Sequence, residues 1–327
     1  MVGNPVAGRG GAPRKAERFA RELERRGHHV DWLLTRRVGE ARRRAGELEG
    51  RVDCIVVAAG DGTLNEVVNG LSDPSRTPLG HLPLGTANLL AHELGLPHRP
   101  EALAELVESG ATRRIDLGRI GRSRFLLLAS SGFDALVTQR VRRARAKGLG
   151  YRGYLLPILR TLASYREPHL RVRIDGREEL EGSLVVASNL RNYGGLFSVT
   201  DRARCDSGHL DVCVFRSASR LEIPGYVAAA ALGRISRLRS VAYREARRVE
   251  IEGERPVPVQ VDGDYWGTTP VALEIEPRVV PILAPAELSG PRAGTSRSPR
   301  RSPGAARARS RVRSARSARR RSRSPDR

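Results

Sequence analysis

Six consecutive apolar residues, Cys54 to Ala59, run straight into Gly60-Asp61-Gly62 and then into Thr63 through Gly70. A strand with no polar alternation has both faces covered, which is the condition of a strand inside a parallel sheet layered by helices. Beyond the glycines, Leu64, Val67, Val68 and Leu71 recur at i, i+3, i+4 and i+7, the stripe of an amphipathic helix. One stretch therefore fixes a buried strand, a tight turn and a helix. The chain around it must complete a doubly wound α/β layer.

The first 120 residues supply that layer. GRGGAPRKAERFARELERRG sets Phe19 and Leu23 four apart on a charged helix, HVDWLLT reads as a strand and GEARRRAGELEG as a helix. PLGHLPLG, HELGL and EALAELVESG continue the alternation. Only Met1, Val2 and Gly3 precede Asn4, whereas a central strand commonly has about five residues. The first strand is thus either stunted or begins upstream. Past Arg113 the texture becomes short β-rich runs bounded by Gly, Asp or Pro, among them RFLLLASS, HLRVRIDG, EGSLVVASN, LDVCVFR and VPVQVDGDYW. Helical pieces interrupt them at TQRVRRARAKG, YLLPILRTLASY and IPGYVAAAALGRI. This organisation predicts an α/β domain over 1–115, a mainly antiparallel β-rich domain over 116–275 and a segment, 276–288, returning to the first domain. The Arg/Ser/Pro-rich tail, 289–327, has too few apolar residues to offset the entropy of ordering and is read as disordered.

Of the formal charge of +22, the tail's fourteen Arg and one Asp supply +13, leaving a mildly basic +9 for residues 1–288. The three cysteines, Cys54, Cys205 and Cys213, lack metal spacing and are expected as reduced, buried thiols. No apolar run approaches the roughly 18 residues of a membrane span, so a cytoplasmic or membrane-peripheral protein is expected. The histidines are scattered without HExxH spacing, and Ser130-Ser131-Gly132 is no nucleophile elbow.

The loop itself carries chemistry. Gly60 and Gly62 let backbone approach a phosphate, and Thr63 stands where a helix N-cap belongs, with the helix aiming free amides at the same place. The P-loop lysine of GxxxxGK[ST] is absent. Asp61 beside a phosphate is unfavourable unless a divalent cation such as Mg²⁺ lies between them, which points to a metal–nucleotide ligand. The bland alternative is an ordinary strand–turn–helix, since DG is a common turn dipeptide.

GDGTLNEVVNG closely resembles the signature loop of the diacylglycerol kinase catalytic-domain family, which includes bacterial lipid kinases and sphingosine-kinase-like enzymes. NPVAGRG (4–10), PLGTANLLA (83–91), SGFDALV (131–137), DSGHLDVCVF (206–215) and VDGD (261–264) resemble further motifs of that family in the same order, so the likeness spans residues 1–288. The resemblance implies a nucleotide domain followed by a β-sandwich-like lipid-substrate domain. It implies ATP held by Asn4, Pro5, Val6, Ala7, Gly8, Thr35, Ala59, Gly60, Asp61, Gly62, Thr63, Leu64, Asn65 and Thr86, with Asp61 placing Mg²⁺. It also places a base at Asp262 or Asp264, and Asp134 near the cleft.

The chain departs from the pattern at several points. Ala59 replaces a glycine and could tighten the nucleotide pocket, Asp264 replaces a glutamate, and Leu89 replaces an acid found in many bacterial members. Ser207 stands where a structural Mg²⁺ would find an aspartate, with Asp206 beside it, and no second metal is assigned. The implied activity is ATP-dependent phosphorylation of a lipid hydroxyl in phospholipid biosynthesis, diacylglycerol by default, with a sphingoid alcohol as the alternative. A metabolite kinase of the NAD kinase kind and a nucleic-acid binder acting through the tail are the competing classes. The basic stretch 138–166 is a candidate surface for an anionic membrane, and the tail for nucleic acid or anionic lipid.

Overall fold

The apolar run forms the strand β3 (Ile55–Ala59), buried at every position between two parallel neighbours. On one side lies β1 (Val2–Gly3), itself flanked by β2 (Leu33–Leu34), and on the other β4 (Leu79–Pro83). The structure is a computed structural model that describes residues 1–5, 7, 12–145, 155–193 and 197–286, without the side chains of 143–145 and 155–157. Five helices accompany these strands: α1 (Ala12–Arg25), α2 (Glu40–Leu48), α3 (Asp61–Gly70), α4 (Leu89–Glu93) and α5 (Pro100–Ser109). Phe19, Leu23, Val57, Leu64, Val68 and Leu103 meet in one buried core, as the helical spacing requires. HVDWLLT yields only a two-residue strand, because its partner β1 is itself two residues long.

Two long strands carry the sheet into the second half. β5 (Thr112–Ile120) pairs antiparallel with β18 (Val271–Leu283) from Leu273↔Ile120 to Leu283↔Thr112. At one end β18 lies parallel to β4 through Ile282↔Leu79, and at the other it pairs antiparallel with β15 (Arg248–Gly253). β8 (Leu170–Ile174) and β9 (Glu178–Gly182) extend that edge, and β6 (Ser123–Phe125) pairs with β5, completing ten strands. β8 alternates buried Leu170, Val172 and Ile174 with exposed Arg171 and Arg173, the signature of a strand with one wet face.

A second, antiparallel sheet runs β14 (Val241–Ala246), β13 (Leu210–Phe215), β10 (Leu184–Ser188), β7 (Leu128–Ser131), β16 (Pro258–Val261), β17 (Asp264–Thr268). Its inner face packs on the first sheet through Phe125, Leu170, Val185, Val212, Val249 and Val259, giving a β-sandwich. Its outer face is covered by α6 (Phe133–Arg145), α7 (Leu155–Ser164) and α8 (Ile223–Ala231) around Val186, Phe215, Ile223 and Tyr226. The expected α/β layer followed by an antiparallel sandwich is therefore the observed architecture.

RFLLLASS is broken into β6 and β7 at Leu126–Leu127, and SGFDALV opens helix α6 at Phe133. PVALEIEP and VVPIL are one strand, irregular between Glu276 and Val280, where Arg278 takes φ 51°. Cys54, Cys205 and Cys213 are free, and burial pushes the Cys54 and Cys205 thiols up to about 12. No helix among the described residues is long and apolar enough to cross a membrane. Val6, Gly8, the middle of the basic stretch at 146–154 and the tail 289–327 lie outside the described residues.

Candidate active site

A cleft of about 740 Å³ opens where α2 and α3 face the β16–β17 hairpin. Asn4, Gly62, Thr63, Asn65 and Glu66 line it from the first half, and Asp262, Asp264, Tyr265 and Trp266 from the second.

Gly60, extended at φ −97°, caps α3 through its carbonyl, which accepts the amides of Thr63 and Leu64. The N-cap is thus Gly60, and Thr63 sits one turn inside, where Asn4 Nδ2 lies 3.5 Å from its hydroxyl. A Cβ on Gly85 would stand 2.5 Å from Gly60 Cα, so the 83–91 loop touches the glycine turn backbone to backbone. Asn88, at φ 47°, closes that loop by accepting from Gly85 N at 2.8 Å and donating to Gly85 O at 2.9 Å.

Asp61 has a local reason to be acidic. Its carboxylate accepts Leu89 N at 2.9 Å and Leu90 N at 3.3 Å, so it caps the start of α4 from the first turn of α3. The other polar groups on α3 are also engaged. Glu66 accepts Gly39 N at 3.1 Å, and Asn69 bonds Asn65 while exchanging bonds with the Arg124 backbone at 2.8 and 2.9 Å. Asn69 thereby ties α3 to β6.

Other expected contacts are distributed unevenly. Ala59 and Leu64 are fully buried, so the Ala59 methyl packs in the core and does not narrow the cleft. Thr35 is buried, its amide and hydroxyl both donating to Gly3 O. Pro5 and Asn4 border a separate apolar cavity of about 220 Å³ beside Trp32 and Leu34. Ala7 N donates to Asn4 O, and Thr86 is exposed on the loop beside Gly85.

The two hairpin acids differ in kind. Asp262 and Gly263 both take positive φ, 49° and 85°, and Val261 pairs with Asp264, so DG forms the expected two-residue turn. Asp262 turns its carboxylate inward to accept Leu126 N, Leu127 N and Leu128 N at 2.8, 2.9 and 3.0 Å. That demand is what breaks RFLLLASS in two. Burial pushes the Asp262 carboxyl up to about 6 against the pull of these amides, and nearby Asp61 adds to the rise. Asp264 is exposed and faces the cleft. Behind it Gln260 accepts Gly263 N at 2.9 Å and donates to Ser130 and Asp134, each at 2.9 Å. Asp134 thus braces the hairpin from behind, bonded also by Ser130.

Sequence reading missed Arg42, Asn88 and Gln260. Arg42 lines the cleft from α2, exposed and in no ion pair among the described residues, while Arg124 bonds Glu276 and Leu71 O, and Arg142 bonds Tyr265 O. Nothing local marks Arg42 among its neighbours in EARRRAGEL, because only the fold brings it to the cleft.

A parallel layer with a glycine turn, joined to a sandwich that closes a polar cleft over it, defines a two-lobed phosphotransferase. The diacylglycerol kinase catalytic domain matches residues 1–120, and the YegS C-terminal NAD kinase beta sandwich-like domain matches 128–284. A diacylglycerol kinase of Mycobacterium tuberculosis is 31% identical over 291 residues, covering 86% of this chain and 93% of that protein. One of Staphylococcus aureus is 25% identical, covering 88% and 92%. The crystal structure of a diacylglycerol kinase from Bacillus anthracis str. Sterne superposes with a TM-score of 0.71 at 26% identity, covering 87% of this chain and 96% of that one. The chain belongs to the diacylglycerol kinase family. It is a lipid kinase, and the family implies ATP as its phosphoryl donor.

Proposed function

We propose that the cleft transfers the γ-phosphoryl group of ATP to the free hydroxyl of diacylglycerol, giving phosphatidic acid and ADP, with Asp264 as the general base. The observation that carries this reading is the difference among three acids. Asp61 and Asp262 spend their carboxylates on backbone amides, whereas Asp264 stands exposed in the cleft. Asp264 takes the hydroxyl proton as the lipid oxygen bonds to phosphorus and the bond to the ADP oxygen breaks. Gln260, held by Asp134 and Ser130, fixes the turn amide that positions it. Gly60, Gly62, Thr63 and Asn4 offer backbone and hydroxyl groups to the triphosphate, and Arg42 offers a positive charge.

The donor set fits a Mg²⁺ ion that arrives with the nucleotide. No group of three or more His, Cys, Asp or Glu assembles among the described residues, and Mg²⁺ ordinarily takes only one or two carboxylates plus phosphate oxygens and water. Asp61 would hold it, since two amide bonds leave its carboxylate further lone pairs. Bound there, the ion supplies charge neutralisation to the phosphates.

The test is Asp264→Asn, assayed with diacylglycerol and sphingosine in mixed micelles. We expect turnover of diacylglycerol to fall roughly 10²- to 10⁴-fold with the melting temperature unchanged. Undiminished turnover removes Asp264 as the base, and faster turnover of sphingosine than of diacylglycerol by the unmodified protein removes the substrate assignment.

A further inference from the structure

We infer that α8 docks the protein on an anionic bilayer, its outward face entering the acyl chains while the arginines around it meet lipid phosphates. The inference rests on the lipid-substrate reading above, which requires the protein to work at a membrane.

The helix has two apolar faces and only one of them is used. Inward, Ile223, Tyr226 and Ala230 are buried, with the Tyr226 ring 4.8 Å from Phe215 and its hydroxyl on Ser217 O at 2.8 Å. Outward, Pro224, Gly225, Val227, Ala228 and Ala231 are all exposed, and Leu221 and Leu232 beside them are 86% and 67% exposed. A surface helix normally shows water a polar face, and one apolar all round is buried or sits in lipid. Nine residues with a proline near the start cannot span a bilayer, so the helix lies in its surface.

Charge identifies the occupant. Residues 216–239 hold five arginines, Arg216, Arg220, Arg234, Arg237 and Arg239, against one acid, Glu222. All five are exposed and none forms an ion pair among the described residues, although arginines elsewhere on the surface, such as Arg173, Arg244 and Arg248, are matched to glutamates. Glu222 is turned to the hydroxyls of Ser217 and Ser219 and does not offset them. An apolar patch fringed by unpaired arginines complements acyl chains bordered by phosphates. The basic stretch 138–166, the other candidate surface, is less available where it is described. Arg140 bonds Ser164 at 2.9 Å and Arg142 bonds Tyr265 O at 3.2 Å. α8 shares its layer with α6, which packs on the hairpin bearing Asp264, so docking by this layer brings that wall of the cleft to the membrane.

The test uses the full chain and is built to separate α8 from the arginine-rich tail, whose charge alone would attract anionic vesicles. Val227→Cys carries an environment-sensitive fluorophore, and Glu24→Cys on α1 carries the same label as a reference. With phosphatidylglycerol vesicles the label at 227 should shift to the blue and be quenched by brominated acyl chains, while the label at 24 stays in water. The double variant Val227→Glu/Leu232→Glu should partition about tenfold less and phosphorylate vesicle-embedded diacylglycerol correspondingly more slowly. Its turnover of dispersed short-chain diacylglycerol should be unchanged. A label at 227 that stays wet while the protein sediments with vesicles overturns the inference in favour of the tail. A blue shift that depends on protein concentration without vesicles overturns it in favour of a second copy. Insertion at 227 without phosphorylation of either lipid form would instead retain the docking face and refute the diacylglycerol reading.

Discussion

At the scale of the residue, Asp262 and Asp264 in the cleft and Asp61 in the adjoining glycine turn illustrate how position alone divides a shared chemistry. Asp61 both caps α4 and stands in the glycine turn, so charge and hydrogen-bond capacity can be separated by substitution. Asp61→Ala should cost about 1 kcal/mol as a lost cap and lower turnover more than about a hundredfold. Asp61→Asn keeps one acceptor, so it should recover part of the stability and none of the turnover. Turnover near the unmodified level in Asp61→Asn would reduce Asp61 to a structural cap. Beneath the same loop His81 is fully buried, its Nε2 3.1 Å from Ala59 O and its Nδ1 unpartnered. Burial lowers its pKa, opposed by Asp61 and the Ala59 carbonyl. A depressed histidine is neutral in the fold, while the unfolded chain takes up a proton below about 6.5, so stability should fall as pH drops through that value. The slope approaches about 1.4 kcal/mol per pH unit. Asp262 and Asp211, both pushed up by burial to about 6, titrate over the same range with the opposite sign. The His81 dependence should therefore appear as the difference between the unmodified protein and His81→Leu in chemical denaturation from pH 7 to 5.

At the scale of the element, the turn and the 83–91 loop make opposite demands on two glycines. A Cβ at Gly62 meets nothing within 4 Å, whereas one at Gly85 meets Gly60 Cα at 2.5 Å. Gly62→Ala lies in a helix and should leave stability equal or raise it by up to about 1 kcal/mol, yet weaken ATP binding, because its methyl enters the open cleft. Gly85→Ala should separate the two loops and cost about 1–3 kcal/mol. Melting curves and nucleotide calorimetry on the pair decide this, and full ATP affinity in Gly62→Ala would move the phosphates away from the turn. The same elements show what was legible beforehand. β3, α3 and the Asp262-Gly263 turn are local patterns, and their residues announced them. The break in RFLLLASS was hidden because its cause, Asp262, lies 134–136 residues further on. Asp61 looked like a ligand alone because its two amide donors are 28 and 29 residues away.

At the scale of the whole molecule, β5 and β18 run through both halves, so the cleft opens between lobes that share one sheet. The turn before β13 is fastened to these strands through Asp116 and Arg113, both on β5. Asp116 N donates to Cys205 O, while its carboxylate accepts Gly208 N at 2.6 Å and Arg278 N at 2.7 Å. Asp206 beside it is held by Arg113 at 2.6 Å and Arg204 at 3.2 Å. The family resemblance implies a structural Mg²⁺ at this turn only where an aspartate stands in place of Ser207. Here Ser207 donates its hydroxyl to His209 O, both acids are engaged, and the positive charge comes from a guanidinium. The turn should therefore be independent of metal, and without nucleotide the melting temperature should be the same in EDTA as in millimolar Mg²⁺. Arg113→Ala leaves the Asp206 carboxylate with one partner in a half-buried turn and should cost about 1–3 kcal/mol. If the guanidinium does the work of a cation, Mg²⁺ should restore part of that loss in the variant while leaving the unmodified protein unaffected. A melting temperature of the unmodified protein that drops in EDTA would mean that a metal, and not Arg113, fastens the second lobe to the shared sheet.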